Sequence, residues 1–204
     1  MPHLRLQDGY LISYQSTGDG FPLILLPGPE GIAGWLPHMP LLGELCHAVA
    51  YECCQPQPAV DLLPALLDVF HMQRLYLASP APDWEPALEF ARRHPDALEA
   101  LLLVDIPGSS AEVPPLTPDF TALPSDMVLP VLILVADDAS PARLAADRLS
   151  ADLPHCRTVI MGRPGEEPPA LPRSPRRQFP HLMMQFLLDR ERHRNLVRGA
   201  SFLL

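Results

Sequence analysis

The sequence predicts an α/β protein, with a mostly parallel central sheet of about eight strands and helices on both faces. Two observations carry this. Strand-like and helix-like segments alternate from one end of the chain to the other, the pattern of successive βα units. The strand-like segments are short apolar runs, as in Pro22–Leu26, of the kind that form buried strands.

The elements follow in order. Leu4–Gln7 and Tyr10–Gln15 read as a hairpin, because Asp8-Gly9 between them is a strong turn signal. After Gly18-Asp19-Gly20, Pro22–Leu26 is the first buried strand, and Ala48–Glu52 the next. Val60–Met72 reads as a helix with one apolar face, Arg74–Ala78 as a strand, Trp84–His94 as a helix and Leu101–Asp105 as a strand. Val131–Val135 follows, then a helix over Pro141–Leu153, with Ser140 as N-cap and proline at its first position. Thr158–Met161 is the last strand and Arg177–Arg190 the last long helix, with the final ~15 residues as a helical tail. Two proline-rich stretches, Ile106–Pro130 and Arg163–Pro175, read as surface loops, since neither flank could build a core alone. The whole chain, 1–204, is therefore expected to form one domain.

Composition narrows the function classes. Hydrophobic residues make up 48% and charged residues 19%, which excludes disorder. Net charge is −9, which excludes nucleic acid as a partner on electrostatic grounds. The 27 prolines are far above the usual share of about 5%. All fifteen basic residues are arginine, consistent with a GC-rich coding bias. No apolar run approaches the ~20 residues that cross a bilayer, and residues 1–9 carry no signal-peptide core, so the expected location is the cytoplasm. Cys46, Cys53, Cys54 and Cys156 are expected as free thiols there.

Several segments together resemble the α/β-hydrolase family. Leu23-Ile-Leu-Leu-Pro-Gly-Pro-Glu-Gly31 followed by Trp35 is similar to that family's strand and oxyanion loop. Arg74–Leu77, Ala87–Asp96 and Leu101–Asp105 resemble the strand before the nucleophile, the helix after it and the next strand. Val131-Leu-Ile-Leu-Val-Ala-Asp-Asp138 resembles the strand that delivers the acid. The resemblance implies a serine in a G-x-S-x-G turn, an oxyanion hole of two backbone N–H groups, and a histidine base after the last strand.

This chain departs from that pattern at each point. Its turn reads Ser79-Pro80-Ala81-Pro82-Asp83, which puts Ala81 at the nucleophile position and Ser79 and Asp83 at the glycine positions. Alanine has no atom that attacks a carbonyl, and a residue before proline is held toward extended angles. The oxyanion donors fall on Pro82 and Pro29, and Pro27 stands in place of the histidine before the loop glycine. Proline has no N–H, so each lost donor costs about 3 kcal/mol of transition-state stabilisation. Gly162–Pro180 contains no histidine, and Glu166 and Glu167 occupy the base's approximate place. His155 precedes the strand and His181 lies inside the last helix. Only the acid survives, as Asp137 or Asp138, and either aspartate also serves as a cap for the following turn. The interval before Val131 is too short for a helical cap domain.

Relocated chemistry has few candidates. Ser79 is the one hydroxyl in the turn, and Cys53 and Cys54 lie near the carboxyl end of a strand, where α/β sites form. His38 is the nearest base for any of them. Cys46/His47, Cys53/Cys54 and His155/Cys156 do not make a zinc site, because Cys46 and Cys53 lie at opposite ends of one strand, roughly 20 Å apart at ~3.3 Å per residue. No metal and no cofactor is expected. Arginines 173, 176 and 177, with 190, 192, 194 and 198, read as a solvated face, and Phe202-Leu203-Leu204 as a contact for a second copy or another protein. The functional expectation is an inactive hydrolase-like protein, a pseudoenzyme acting as a binding, scaffold or regulatory subunit. The alternatives are a hydrolase with a relocated nucleophile, and a receptor that keeps the old pocket for a small molecule.

Overall fold

In the computed structural model the described residues are 1–55, 58–81, 83–105, 128–137, 140, 142–161 and 175–201, with side chains of the last helix described from 178 to 194. They build one eight-stranded sheet in the order β1-β2-β4-β3-β5-β6-β7-β8. The strands are β1 (His3–Arg5), β2 (Leu11–Thr17), β3 (Phe21–Leu25), β4 (Cys46–Cys53), β5 (Leu75–Pro80), β6 (Leu98–Val104), β7 (Val131–Val135) and β8 (Cys156–Ile160). β1 and β2, and β2 and β4, pair antiparallel, and every other pair is parallel. The helices are α1 (Met39–Leu42), α2 (Leu63–Val69), α3 (Trp84–Arg93), α4 (Ala142–Asp152) and α5 (Pro175–Ser201).

Side-chain alternation explains why helices cover both faces. Ile24, Leu77, Leu103 and Ile133 point to one layer, where they pack with Leu66, Trp84, Leu88 and Leu149 of α2, α3 and α4. Leu23, Leu25, Ala78, Leu102 and Leu134 point to the other, against Trp35, Leu42, Phe179, Met183 and Leu187. Phe179, Met183 and Leu187 recur every fourth residue, so α5 lays one stripe on the sheet. Each fully buried leucine contributes about 1.5–3 kcal/mol relative to exposure, which is why these strands tolerate no polar alternation.

Some element boundaries differ from the sequence reading. The helix expected over Val60–Met72 is a 3-10 turn at Ala59–Leu62 followed by α2, because Pro64 favours a helical start rather than an interior position. It ends at Val69, and His71, whose φ is 54°, makes the left-handed turn just past the cap, with the Met72 N–H reaching Leu67 O at 2.9 Å. The last helix begins at Pro175 and runs to Ser201, absorbing part of the expected tail. Ser140 caps α4 as expected, accepting the Ala142 N–H at 3.2 Å. Most of the two proline-rich stretches, and with them the question of a cap domain, lies outside the described residues, as does Phe202–Leu204. No helix among the described residues is long and apolar enough to cross a membrane.

Candidate functional site

The carboxyl ends of β3, β4 and β5 converge on the loop that follows β3. Its conformation is set by two glycines at positive φ, Gly28 at 61° and Gly31 at 60°. A Cβ on Gly28 would lie 2.5 Å from Cγ of Pro80, so the proline at the end of β5 fits directly over that Cα. A Cβ on Gly31 would lie 2.4 Å from Oε2 of Glu52. The loop is pinned at its root, where the Leu26 N–H donates to Ala78 O at 2.9 Å and the Trp35 indole N–H donates to Leu26 O at 2.6 Å.

Two backbone donors of this loop are already used. The Gly31 N–H donates to Gly28 O at 3.2 Å. The Ile32 N–H donates to the Glu52 carboxylate at 3.3 Å. Burial raises the proton affinity of the Asp83 carboxyl, and the backbone N–H of Gly28, which it faces, lowers it in part. Pro29, exposed in the turn, has no N–H to offer. Two carboxylates thus face a loop that in an acyl-transfer site would hold an oxyanion, and one of them, Glu52, takes a donor of it.

The turn after β5 is equally committed. Ala81 is 6% exposed and donates its N–H to Val104 O at 2.7 Å. Among the described non-glycine residues only His71 has positive φ, so Ala81 carries none of the left-handed strain of an exposed nucleophile. Ser79 is fully buried and its hydroxyl donates to Asp83 O at 2.8 Å, closing the turn into α3. Pro82 and Asp138 lie outside the described residues. Asp137 is exposed beyond β7, and its carbonyl accepts the Ser140 N–H at 3.2 Å.

Asp105, which the sequence reading passed over as an acid, does the anchoring at this edge. Its Oδ2 accepts the Ala136 N–H at 3.0 Å and the Ser140 hydroxyl at 2.5 Å. The Tyr51 hydroxyl, buried beneath the site, donates to Ala59 O at 2.5 Å. Burial pushes that phenol well above its usual range, and the nearby Asp83, Cys53 and Asp61 push it further. The end of the sheet is therefore electronegative. A carboxylate ~4 Å from a developing oxyanion would oppose it by about 4 kcal/mol at an effective dielectric of 20.

The relocated candidates do not come together as the sequence suggested. His38 packs edge-on against Phe179, ring centroids 4.8 Å apart, and burial lowers its proton affinity. The Cys53 thiol faces Leu11 O at 3.8 Å and Gln55 Oε1 at 3.7 Å. Cys54 is exposed and has a different neighbour, the Ser13 hydroxyl at 3.7 Å, which in turn meets His3 Nδ1 at 3.1 Å. Register explains the grouping: Ser13 of β2 pairs with His3 of β1 on one side and with Glu52 of β4 on the other, so β2 carries a hydroxyl between the two. Sequence spacing gives no sign of it, because the three residues come from separate segments. Cys46 is buried at the other end of β4, its thiol pushed up to about 12 by burial and then by Glu191. No group of three or more His, Cys, Asp or Glu side chains placed to hold a metal is present among the described residues.

No family model matches the sequence, and no curated protein does. Solved structures do match the fold. A thermophilic esterase from Thermogutta terrifontis, solved with malate bound, is 17% identical with a TM-score of 0.70, covering 93% of this chain and 99% of that one. An alpha/beta hydrolase from Sphaerobacter thermophilus is 16% identical with a TM-score of 0.66, covering 91% and 100%. A carboxylesterase structure from Nitrososphaera gargenis is 14% identical with a TM-score of 0.66, covering 94% and 100%.

Proposed function

We propose that this chain, built on the α/β-hydrolase fold, is non-catalytic and works by binding, as a scaffold or regulatory subunit with a protein partner. Fold alone does not decide this, since one architecture hosts active and inactive members. The observation that carries the reading is the occupied loop: Glu52 takes the Ile32 N–H and the Asp83 carboxylate faces the Gly28 N–H, beside a buried alanine at the nucleophile position. Restoring a hydroxyl would not undo that. Ala81→Ser is expected to leave hydrolysis of p-nitrophenyl acetate at the buffer rate and to take up no fluorophosphonate by intact mass, as is the wild-type protein. A stoichiometric serine adduct on the wild-type protein would sink the reading and name the nucleophile.

One arrangement favours a second reading, a relocated thiol. Cys54, Ser13 and His3 form a chain through which the thiol proton could pass to Ser13 Oγ and the Ser13 proton to His3 Nδ1 as sulfur attacks an electrophile. On this reading iodoacetamide alkylates Cys54 at least tenfold faster than Cys53 in the native protein, and His3→Gln removes the difference. Equal rates for the two thiols leave Cys54 an ordinary exposed cysteine.

A further inference from the structure

We infer a second ligand site at the opposite end of the sheet, one that takes a small organic anion carrying a short apolar body. A cavity of about 590 Å³ opens at the amino ends of β5, β6 and β7, between the last turn of α3 and the middle of α5. That volume lies inside the ~300–1,000 Å³ range of small-molecule sites. It is distinct from the loop after β3, and the inference does not depend on whether that loop is catalytic.

Its charge is the reverse of the protein's. Arg74, Arg92 and Arg190 line it, on a chain of net charge −9. The counter-charges present are shared. Glu99 is paired with Arg74 at 3.2 Å and Arg194 at 3.5 Å, while Glu191 also holds Arg194, at 2.7 Å. Glu89 is divided between Arg92 and Arg93, each at 2.6 Å. Three guanidinium groups therefore line this cavity against one carboxylate, Glu99. Low-dielectric walls focus such an excess on an entering anion.

The guanidiniums are also held in place before a ligand arrives. The second nitrogen of Arg74 donates to Leu98 O at 2.9 Å, and Arg92 makes a two-point contact with Glu89 at 2.6 and 2.8 Å. Each retains part of its five-donor fork, the geometry that receives a carboxylate or phosphate oxygen pair. Fixed donors lose little entropy on binding. The remaining wall is apolar: Leu98 and Leu129 lie in it, and Val128 stands 72% exposed among the lining residues. A fully charged ligand would leave that side uncovered, whereas an alkyl chain of a few carbons would cover it.

The test is thermal unfolding of the full chain titrated with hexanoate, hexyl phosphate, inorganic phosphate and hexanol. Hexanoate and hexyl phosphate are expected to raise Tm saturably, by roughly 5–10 °C at a hundredfold excess over Kd. Hexanol is expected to leave Tm unchanged, and inorganic phosphate to bind at least tenfold more weakly than its hexyl ester. Arg190→Gln and Arg92→Gln should each weaken hexyl phosphate about tenfold, while Arg157→Gln, on the exposed edge strand β8, should match wild type. Absence of a saturable shift with both alkyl anions would overturn the inference. So would equal binding of inorganic phosphate, or Kd values unchanged in both Arg190→Gln and Arg92→Gln.

Discussion

Replacing Glu191 with alanine is expected to lower stability by about 3 kcal/mol, the low end of what removing one partner of a buried ion pair costs. Glu191 is 3% exposed on α5, and its two oxygens are fully engaged. One accepts the Tyr76 hydroxyl at 2.6 Å and the other meets the Arg194 guanidinium at 2.7 Å. Tyr76 is buried, and burial followed by its bond to Glu191 pushes its phenol far above the usual range, so it stays a donor that must find an acceptor. Arg194 is 31% exposed and can turn partly to water, which is why the low end applies. In a chain of this size the loss corresponds to a Tm fall of about 6–12 °C. Glu191→Gln should recover most of it, because an amide oxygen still accepts from Tyr76. Urea unfolding of the three proteins checks the order; an alanine variant as stable as the glutamine variant would show that the bond to Tyr76 adds nothing.

The second large effect lies in the turn before β3. A Cβ on Gly20 would fall 1.8 Å from Leu45 O, and one on Gly18, at φ 72°, 2.0 Å from Cys46 O. Both obstacles are backbone, which cannot swing aside as a side chain would. The same Leu45 carbonyl accepts the Phe21 N–H at 2.9 Å, so relieving the clash at Gly20 stretches the bond that starts β3. Gly20→Ala is expected to cost about 3 kcal/mol, at the upper end of overpacking penalties, with the denaturant m-value unchanged. Gly9→Ala is the contrast: its Cβ would meet nothing within 4 Å, leaving only the strain of φ 91°.

Much of the architecture was legible because it rests on periodicity. Runs such as Leu101–Val104 and Val131–Val135 are apolar at every position, as a strand covered on both faces requires; β7 lies where the sequence put it, and β6 starts three residues earlier than expected, at Leu98. Helix boundaries were less legible: Pro64 sits inside the periodic stretch Val60–Met72, and periodicity does not register where proline forces a new start. At the site, residue type alone gave departures from the family's pattern, at Ala81, Pro29 and Pro82. What fills the space was not legible, because it depends on register and on loop closure. Asp83 read only as a residue at a glycine position, yet its carboxylate faces the Gly28 N–H. Cys54 was matched with His38, the nearest histidine by loop, whereas hairpin pairing supplies Ser13 and His3 instead.

The fit of Pro80 over Gly28 bears on how such a protein could change over time. With Pro80 in place, residue 28 must remain without a side chain, and Glu52 keeps its Ile32 N–H partner only while the loop holds that shape. A change at any one of these positions meets neighbours shaped to the present residue. The contact therefore ties residues 28 and 80 to each other: a side chain at one calls for a smaller or displaced partner at the other, while exposed positions elsewhere carry no such constraint.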